Sequence, residues 1–232
     1  MSNSKLQHLA VIMDGNGRWA LLQSKRRHFG HLAGVEPVKM IVEHCVAQSE
    51  IKTLTLFAYS LENTKRPLLE TQFIEKLLIE TLRDQLPKMH DQGVKLRVLG
   101  DLSAMSNDSR SFIQSCEEHT SGNQALALNI CYRYSGRWHI TKVVQEIAAA
   151  QGEITIESIS KRLSDDLGSD PDLLIRTGGD VRVSNFLLWN IAYTELYFTD
   201  CYWPDFSKLE LEKALAYFEN CNRRYGQIDA DG

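Results

Sequence analysis

The sequence lacks the long apolar runs that mark membrane-spanning or exported chains. None of its 232 residues lies in a stretch of about eighteen consecutive apolar residues, the length that a transmembrane helix needs. The N-terminal residues contain no signal-like apolar segment. We therefore expect a cytoplasmic protein, and peripheral contact with the inner face of a membrane stays open.

Cysteines are few, and no linker divides the chain. The five cysteines are odd in number and show no metal-type pairing, so reduced thiols in a cytosolic protein are the simplest interpretation. No segment rich in Pro, Gly or Ser interrupts the sequence, and neither repeats nor low-complexity runs occur. One domain over residues 1–232, with short flexible termini, is predicted.

An excess of positive charge is also absent. The formal net charge of −4 provides no general attraction for nucleic acid, so no nucleic-acid partner is expected. Local groups of arginines must then carry any anion binding.

Strand-like and helix-like patterns alternate along the chain. Apolar runs predict strands over 9–13, 53–60, 94–99, 125–131, 172–176 and 195–199. Helical periodicity predicts helices over 17–25, 34–48, 69–90, 106–119, 137–150, 156–167 and 209–225, with a loop over 62–67 and a bend or end at Pro87. Because strands separated by helices pair in parallel, we predict an α/β fold: a single doubly wound domain with a central, mainly parallel six-stranded sheet flanked by helices. Its site should lie at the carboxyl ends of the strands.

The stretch from Met13 to Trp19 is the strongest local signal. A strand, a glycine-bearing turn and a helix start form a phosphate cradle, because free N–H groups point at the ligand where the helix dipole is positive. Asp14 would repel a phosphate at this place. A Mg²⁺ ion between the carboxylate and diphosphate oxygens removes the conflict, so a magnesium site at Asp14 is predicted.

A dinucleotide-binding site is the first alternative. Gly15-x-Gly17-x-x-Ala20 formally satisfies the glycine fingerprint after a strand. That fingerprint needs an acidic residue near the end of the second strand, and Glu62 lies about twice as far along as the rule expects. Asp14 would also face the pyrophosphate without a metal, so this alternative is disfavoured.

Two groups of polar side chains follow strand ends. The first comprises Arg18, Arg27 and His31, and the second comprises Arg176, Arg182 and Ser184. Planar cations with several donors suit two multiply charged phosphate ligands. Any one loop arginine is more often a solvated surface charge. The coincidence of both groups with strand ends favours two anion sites.

Four motifs together resemble a known family. They are the segment 8–20, Gly30-His31-x-x-Gly34, Ser60-x-Glu62-Asn63-x-x-Arg66-Pro67, and the block from Asp172 through Ile-Arg-Thr-Gly-Gly to Pro204-Asp205-Phe206. In this order and spacing they look like the cis-prenyltransferases, with the bacterial undecaprenyl diphosphate synthases nearest in pattern. The resemblance covers nearly the whole chain.

The resemblance implies a homodimeric, Mg²⁺-dependent transferase. Such an enzyme condenses isopentenyl diphosphate onto an allylic diphosphate such as farnesyl diphosphate, and undecaprenyl diphosphate is the expected product. By resemblance Asp14 organises Mg²⁺ and the allylic diphosphate, and Glu195 is a second metal carboxylate. The remaining allylic site comprises Gly15, Asn16, Gly17, Arg18, Trp19, Arg27 and His31. The resemblance also implies a mobile loop, in or beside which lie Ser60, Asn63, Arg66 and Glu70. Isopentenyl diphosphate would be bound by Arg176, Arg182 and Ser184. The C-terminal motif Arg224-x-Gly226 would reach the partner's site across the dimer.

The implied chemistry suits these residue types. Loss of diphosphate from an allylic carbon builds negative charge, which Mg²⁺ and arginines stabilise. Asp14, Ser60 and Asn63 are the predicted catalytic residues. The proton of isopentenyl diphosphate could go to Asp14, to the Ser60/Asn63 pair or to a phosphate oxygen.

Several positions depart from the family pattern. In the mobile loop, this chain has Thr64 where the family usually has tryptophan and Leu61 where a small polar residue is common. It also has Val181 in place of histidine and Asp180 in place of glutamate, and residues 133–136 stand where the family has Asn-Tyr-Gly-Gly. Two alternatives therefore stay open: a synthase of short or irregular products, and a non-catalytic partner subunit of the same fold. The latter is disfavoured because Asp14 and the cradle are present.

An elongating apolar chain also needs a tunnel. Ala58, Phe73, Leu126 and Leu128 are candidate walls, with plain core as the alternative. Alternation along strand four sends Leu126 and Tyr132 to one face. By resemblance this is the tunnel face, where a small residue is common at the second position in long-chain synthases. The Tyr132 ring would shorten the tunnel, unless it turns aside and hydrogen-bonds at the rim.

Overall fold

A computed structural model describes residues 5–221, which form an α/β fold around one six-stranded sheet. The strands are β1 (His8–Ile12), β2 (Thr53–Ser60), β3 (Val94–Leu99), β4 (Leu126–Tyr134), β5 (Leu173–Arg176) and β6 (Glu195–Phe198). Their order is β3-β4-β2-β1-β5-β6, and every pairing is parallel. The predicted fold class is confirmed. Because the chain adds strands on both sides of β1, a cleft opens at its carboxyl end.

Helices cover both faces of the sheet. They are α1 (Asn16–Leu22), α2 (His28–Ala33), α3 (Val35–Ala47), α4 (Leu68–Asp91), α5 (Asn107–Thr120), α6 (Gly136–Ala149), α7 (Ile156–Leu167) and α8 (Lys208–Glu219), with short 3-10 helices at Leu61–Lys65 and Trp203–Asp205. None of the helices within residues 5–221 is long and apolar enough to cross a bilayer.

The strands of the sheet divide their side chains between two cores. In β1, Leu9 and Val11 enter the larger core with α3, α4, α5 and α8, while Ala10 and Ile12 enter the smaller core with α6 and α7. This period-two division is why the strand reads as a continuous apolar run.

Several predicted boundaries need correction. The predicted loop over 62–67 is largely the 3-10 helix Leu61–Lys65, whose first turn is capped by the Ser60 side chain. Helix α4 continues past Pro87 to Asp91, since a proline near the end of a helix removes only one backbone hydrogen bond and Met89 is still buried. The basic segment after α1 contains α2, and β4 extends to Tyr134. The predicted terminal helix is α8, and the part of that prediction beyond residue 221 lies outside the described residues.

Helices α1 and α2 approach each other closely at Gly30. A Cβ atom built there would lie 1.8 Å from the Asn16 backbone oxygen, so no larger residue fits without moving α1. Asn16 begins α1 two residues after Asp14, and this contact therefore sets the position of the predicted cradle.

The first prediction concerns this contact. Gly30→Ala should lower the free energy of unfolding by about 1–3 kcal/mol through overpacking. Gly122→Ala is the matched control, because nothing lies within 4 Å of its Cβ position. Urea denaturation of both variants measures the difference, and equal stability would contradict the close approach.

Candidate active site

A polar cavity of about 540 Å³ opens at the carboxyl ends of β1, β2 and β5. It is lined by most of the predicted site residues: Asp14, Asn16, Gly17, Arg18, Arg27, His31, Ser60, Asn63, Arg66, Arg176, Arg182 and Ser184. These residues come from four separate parts of the chain. The parallel sheet brings them together at the edge where the sequence predicted the site.

Asp14 is the centre of the charge network in this cavity. Its Oδ2 atom lies 2.9 Å from Arg176 Nη2 and 3.3 Å from Arg18 Nη2. Its Oδ1 atom accepts a hydrogen bond of 2.6 Å from the Gly15 N–H. The Thr177 hydroxyl donates to the Asp14 carbonyl at 2.7 Å and accepts from the Asp14 N–H at 3.0 Å. The carboxylate is therefore fixed by side-chain and backbone contacts together.

The same contacts decide the protonation of Asp14. Partial burial acts to raise its pKa, but hydrogen bonds from Arg176 and the Gly15 N–H, and the charge of Arg18, lower the pKa below its ordinary value. Asp14 is thus ionised at neutral pH.

A second carboxylate, Asp180, lies among the arginines. Its Oδ2 atom is 2.9 Å from Arg182 Nη2, 3.4 Å from Arg18 Nη2 and 3.5 Å from Arg176 Nη2. Arg176 Nη1 also donates to Ser184 Oγ at 2.7 Å and to the Arg182 carbonyl oxygen. The buried Arg176 guanidinium therefore connects the two predicted anion sites.

The first anion site is shaped by α1 and α2. A Cβ atom at Gly17 would lie 2.6 Å from the Arg27 guanidinium, so the glycine lets that side chain lie against α1. Asn16 donates from Nδ2 to the Met13 carbonyl at 2.9 Å, but its buried Oδ1 atom has no partner among the described residues.

His31 differs from its predicted role as a cation. Burial lowers its pKa to about 4, although the nearby Glu70 carboxylate, 3.8 Å from Nε2, opposes the shift. The imidazole is therefore neutral at pH 7, and its buried Nε2 atom has no hydrogen-bond partner within the described part of the chain. Glu70, in the first turn of α4, forms an ion pair of 3.0 Å with Arg66, which follows the 3-10 helix Leu61–Lys65.

The predicted catalytic pair lies on the opposite wall of the cavity. Ser60 Oγ accepts a hydrogen bond of 3.2 Å from the Asn63 N–H, and the Tyr59 hydroxyl donates to the Asn63 carbonyl at 2.7 Å. These contacts fold the start of the 3-10 helix back over the end of β2.

Three predicted site residues, Trp19, Gly15 and Glu195, do not line the cavity. Trp19 points away because it follows Arg18 by one position on a helix, and its Nε1 donates to Asp205 Oδ1 at 2.7 Å. Gly15, with φ of 102°, forms the turn before α1 rather than a wall of the cavity.

Glu195 is not placed with Asp14. It begins β6 level with Leu173, whereas Asp14 follows the carboxyl end of β1, and the two lie more than about 10 Å apart along the strands. The role of Glu195 as a second metal carboxylate therefore stays a prediction, and this carboxylate does not share a site with Asp14 of the same chain.

Two residues of the site were not assigned from the sequence. Thr177 clamps the Asp14 backbone, and Asp180 faces both arginine groups. The available signal was their position directly after β5, between two predicted anion-binding arginines.

An apolar groove adjoins the polar cavity. It consists of two small cavities of about 120 and 50 Å³ that follow the space between α3, α4 and β4. Met13, Asn16, His31 and Ala58 line both the first of these and the polar cavity. The site therefore combines a cationic head region with an apolar extension.

The predicted tunnel walls are only partly correct. Ala58, Leu128 and Tyr132 line the groove. Leu126 starts β4 at the far end of the strand, and Phe73 packs against the His28 ring with centroids 5.1 Å apart. Neither contributes to the groove.

The protein side chains in the cavity could bind a divalent cation only together with oxygen atoms of a bound ligand. No group of three or more His, Cys, Asp or Glu residues suitable for a metal occurs within residues 5–221. Asp14 can supply carboxylate oxygens, and Mg²⁺ is commonly held by one or two carboxylates, water and substrate phosphates. The arginines around Asp14 would hold such phosphates.

This geometry defines a class of site: one for phosphorylated ligands that carry an apolar chain. Comparison with known proteins agrees. Residues 12–226 match the family model described as putative undecaprenyl diphosphate synthase. The chain belongs to this prenyltransferase family.

Individual relatives support the assignment. An isoprenyl transferase of Ralstonia nicotianae is 42% identical over 96% of this chain and 88% of its own length. A ditrans,polycis-undecaprenyl-diphosphate synthase, specific for (2E,6E)-farnesyl diphosphate, of Francisella tularensis is 44% identical over the same shares of both chains.

Solved structures are also similar. A probable undecaprenyl diphosphate synthase of Campylobacter jejuni has a TM-score of 0.83 and 35% identity over 97% of this chain and 100% of its own. Lavandulyl diphosphate synthase of Lavandula x intermedia, in complex with dimethylallyl diphosphate, has a TM-score of 0.90 and 29% identity over 96% and 99%. The protein is thus a prenyltransferase enzyme.

The second prediction separates the two anion sites. Arg182→Ala should raise the KM for isopentenyl diphosphate by about 10- to 100-fold, because a charged hydrogen-bonding partner is lost. The KM for the allylic primer should change much less. Steady-state kinetics with each substrate varied in turn measures this, with Arg110→Ala on α5, which does not line the cavity, as a control. Equal losses for both substrates would refute the division.

Proposed function

We propose that this enzyme condenses isopentenyl diphosphate onto an allylic diphosphate primer, such as farnesyl diphosphate, with Mg²⁺ as its cofactor. The expected product is a polyprenyl diphosphate with new cis double bonds, most simply undecaprenyl diphosphate. The observation that carries the proposal is the continuity of the two regions: the same residues line the cationic cavity and the apolar groove.

Two unpartnered atoms support the position of the primer. Asn16 Oδ1 and His31 Nε2 are both buried without a partner among the described residues, and both side chains lie where the cavity meets the groove. Buried polar atoms nearly always have a hydrogen-bond partner in complete structures. A diphosphate oxygen would accept from the N–H of a His31 Nε2 tautomer, and a water bound to the diphosphate would donate to Asn16 Oδ1, while the apolar chain enters the groove.

The arginine groups then have separate roles. Arg18 and Arg27, beside Asp14, suit the allylic diphosphate, whose leaving group gains negative charge in the transition state. Arg182 and Ser184 suit the diphosphate of isopentenyl diphosphate. When bound to Asp14, Mg²⁺ would supply further stabilisation of the charge on the leaving diphosphate.

The number of groups that could accept the proton of isopentenyl diphosphate can be reduced. The pKa of Asp14 is lowered by Arg176, Gly15 and Arg18, which makes its carboxylate a weak base. This favours a phosphate oxygen over Asp14 as the group that accepts the proton of isopentenyl diphosphate, while the Ser60 hydroxyl and the Asn63 amide, which are weaker bases still, could only orient that proton transfer.

The direct test is synthesis of the product. The pure protein is incubated with labelled isopentenyl diphosphate and primers of several lengths, with Mg²⁺ or with a chelator, and the products are sized. Elongation that depends on Mg²⁺ is expected. No incorporation with any primer would overturn the proposal and favour a non-catalytic partner subunit.

A shorter product is the second candidate. Tyr132 is buried, lines the groove close to the polar cavity, and stacks on Tyr59 with ring centroids 5.4 Å apart. An aromatic ring at this place occupies volume that several methylenes of the product would otherwise fill.

The third prediction tests that candidate. Tyr132→Ala should shift the product distribution toward longer chains with little change in the KM for the primer, since the ring lies in the groove and not among the arginines. Tyr217→Ala on α8, remote from the groove, is the control. An identical length distribution for wild type and Tyr132→Ala would remove Tyr132 as a limit on elongation.

We also infer a homodimer. Glu195 cannot reach Asp14 of its own chain, and β6 forms an edge of the sheet with half-buried side chains. The Arg224-x-Gly226 motif, predicted to reach the partner's site, lies outside the described residues. Light scattering coupled to size exclusion tests the assembly, and a monomer at micromolar concentration would contradict it.

Contact with a membrane surface is inferred from one patch. Residues 15–35 contain no Asp or Glu but include Arg18, Lys25, Arg26 and Arg27. Six exposed apolar side chains lie on α1, α2 and the start of α4: Leu21, Leu22, Phe29, Leu32, Leu68 and Leu69. This combination suits the anionic inner face of a membrane. Sedimentation with phosphatidylglycerol vesicles but not with phosphatidylcholine vesicles is expected, and binding to neither would contradict the contact.

A further inference from the structure

The loop after β5 carries the second anion site in an unusual backbone conformation. We call residues 182–187 the anion loop, since they include Arg182 and Ser184. Ser184, Asn185 and Leu187 have φ angles of 46°, 62° and 44°. A left-handed conformation is unfavourable for most residues other than glycine, although asparagine tolerates it better than serine or leucine. Surrounding contacts must therefore hold this loop.

Asn185 supplies those contacts on one side. Its backbone oxygen accepts from the Gly136 N–H at 2.6 Å, and its Oδ1 accepts from the Arg137 N–H at 3.1 Å. Its Nδ2 donates to Ser135 Oγ at 2.7 Å. Ser135 is the N-cap of α6, and the N–H groups of the first turn have no partner within a helix. The anion loop is thus attached to the N-terminus of α6.

The second N–H of the Asn185 amide reaches the 3-10 helix Leu61–Lys65. Its Nδ2 donates to Glu62 Oε1 at 2.6 Å. The orientation of the amide is fixed by its neighbours, because a carboxylate only accepts and a backbone N–H only donates. Glu62 belongs to the 3-10 helix Leu61–Lys65, which also carries Asn63.

The other polar contacts of this 3-10 helix are local. Asn63 is bonded to Ser60 and Tyr59, and Thr64 donates to the Leu61 carbonyl. The bond from Asn185 links residues 123 positions apart and comes from the other anion site. It therefore adds a direct polar link between the 3-10 helix and the anion loop, both of which also pack against the end of β4.

We propose that the Glu62–Asn185 hydrogen bond is a latch that holds the 3-10 helix against the anion loop. When this hydrogen bond is formed, it keeps Ser60 and Asn63 facing the ligand that is bound by Arg182 and Ser184. Glu62 and Asn185 are positioning residues for that ligand. The identity of the ligand as isopentenyl diphosphate rests on the proposed function, whereas the latch itself does not.

The test exchanges the amide donor and the carboxylate acceptor of the latch between positions 62 and 185. Asn185→Asp places two carboxylates against each other, which should break the latch by repulsion. Adding Glu62→Gln restores a donor and an acceptor with reversed direction, while the Ser135 hydroxyl can donate to the new carboxylate. Glu62→Ala breaks the latch without touching the cap of α6, and therefore covers the case that Asn185→Asp does not fold. Glu80→Gln on α4 is the control for loss of a surface charge.

The first readout is amide hydrogen exchange over residues 60–66 in the free protein. Asn185→Asp and Glu62→Ala should both exchange about tenfold faster than wild type, as expected for loss of one charged hydrogen bond. The double variant should return to within about twofold of wild type. Equal exchange in all variants, or no recovery in the double variant, would overturn the latch.

The second readout is kinetic. The single variants should raise the KM for isopentenyl diphosphate about tenfold and leave the KM for the primer nearly unchanged. Hydrogen exchange needs no turnover, so a protein that makes no product would refute the proposed function but leave the latch tested. A changed exchange rate with an unchanged KM for isopentenyl diphosphate would refute the positioning role.

Discussion

The ion pair between Asp14 and Arg176 is the interaction on which the rest of the site depends. The two residues end neighbouring parallel strands, and the register of β1 and β5 pairs Ile12 with Arg176. Only 3% of Arg176 is exposed, and an uncompensated charge at such depth costs several kcal/mol. Asp14 supplies the compensating charge, and Arg176 in turn holds the anion loop through Ser184. One pair thus links the predicted magnesium carboxylate to the second anion site.

The site joins two environments that place opposite demands on a protein. Multiply charged head groups require cations held in position, which Asp14 and Asp180 provide by sharing Arg18 and Arg176. The apolar product requires a dry channel. The first cavity of the groove, at about 120 Å³, is smaller than the 300–1,000 Å³ typical of pockets for small ligands. Elongation therefore requires the groove between α3, α4 and β4 to widen as the chain grows.

The fold could be predicted because its signals are local. Apolar runs of strand length located the six strands, and the helical patterns between them indicated parallel pairing. The rule for parallel sheets then placed Asp14, Ser60 and Arg176 at one edge of the sheet. The predicted span of α4, 69–90, agrees with the observed Leu68–Asp91, and the helix does not end at Pro87, one of the two outcomes predicted there.

Details of the site depend on contacts that no local pattern encodes. Trp19 was assigned to the substrate but faces Asp205, because helix periodicity turns it away from Arg18. Glu195 lies at the wrong end of its strand for Asp14 of the same chain, and sequence spacing alone does not show which end faces the cavity. The Thr177 clamp and the Glu62–Asn185 bond join residues more than 100 positions apart, so only the folded structure reveals them.

The most direct test of the central claim is the turnover of Asp14→Ala with saturating Mg²⁺, compared with wild type and with the exposed Asp165→Ala. Loss of the carboxylate should reduce turnover by at least about 100-fold, because Asp14 is the carboxylate that we propose would hold Mg²⁺. The fold should remain, since Asp180 still lies 3.5 Å from Arg176 and keeps part of the compensating charge. A folded Asp14→Ala variant that turns over at the wild-type rate would contradict the account.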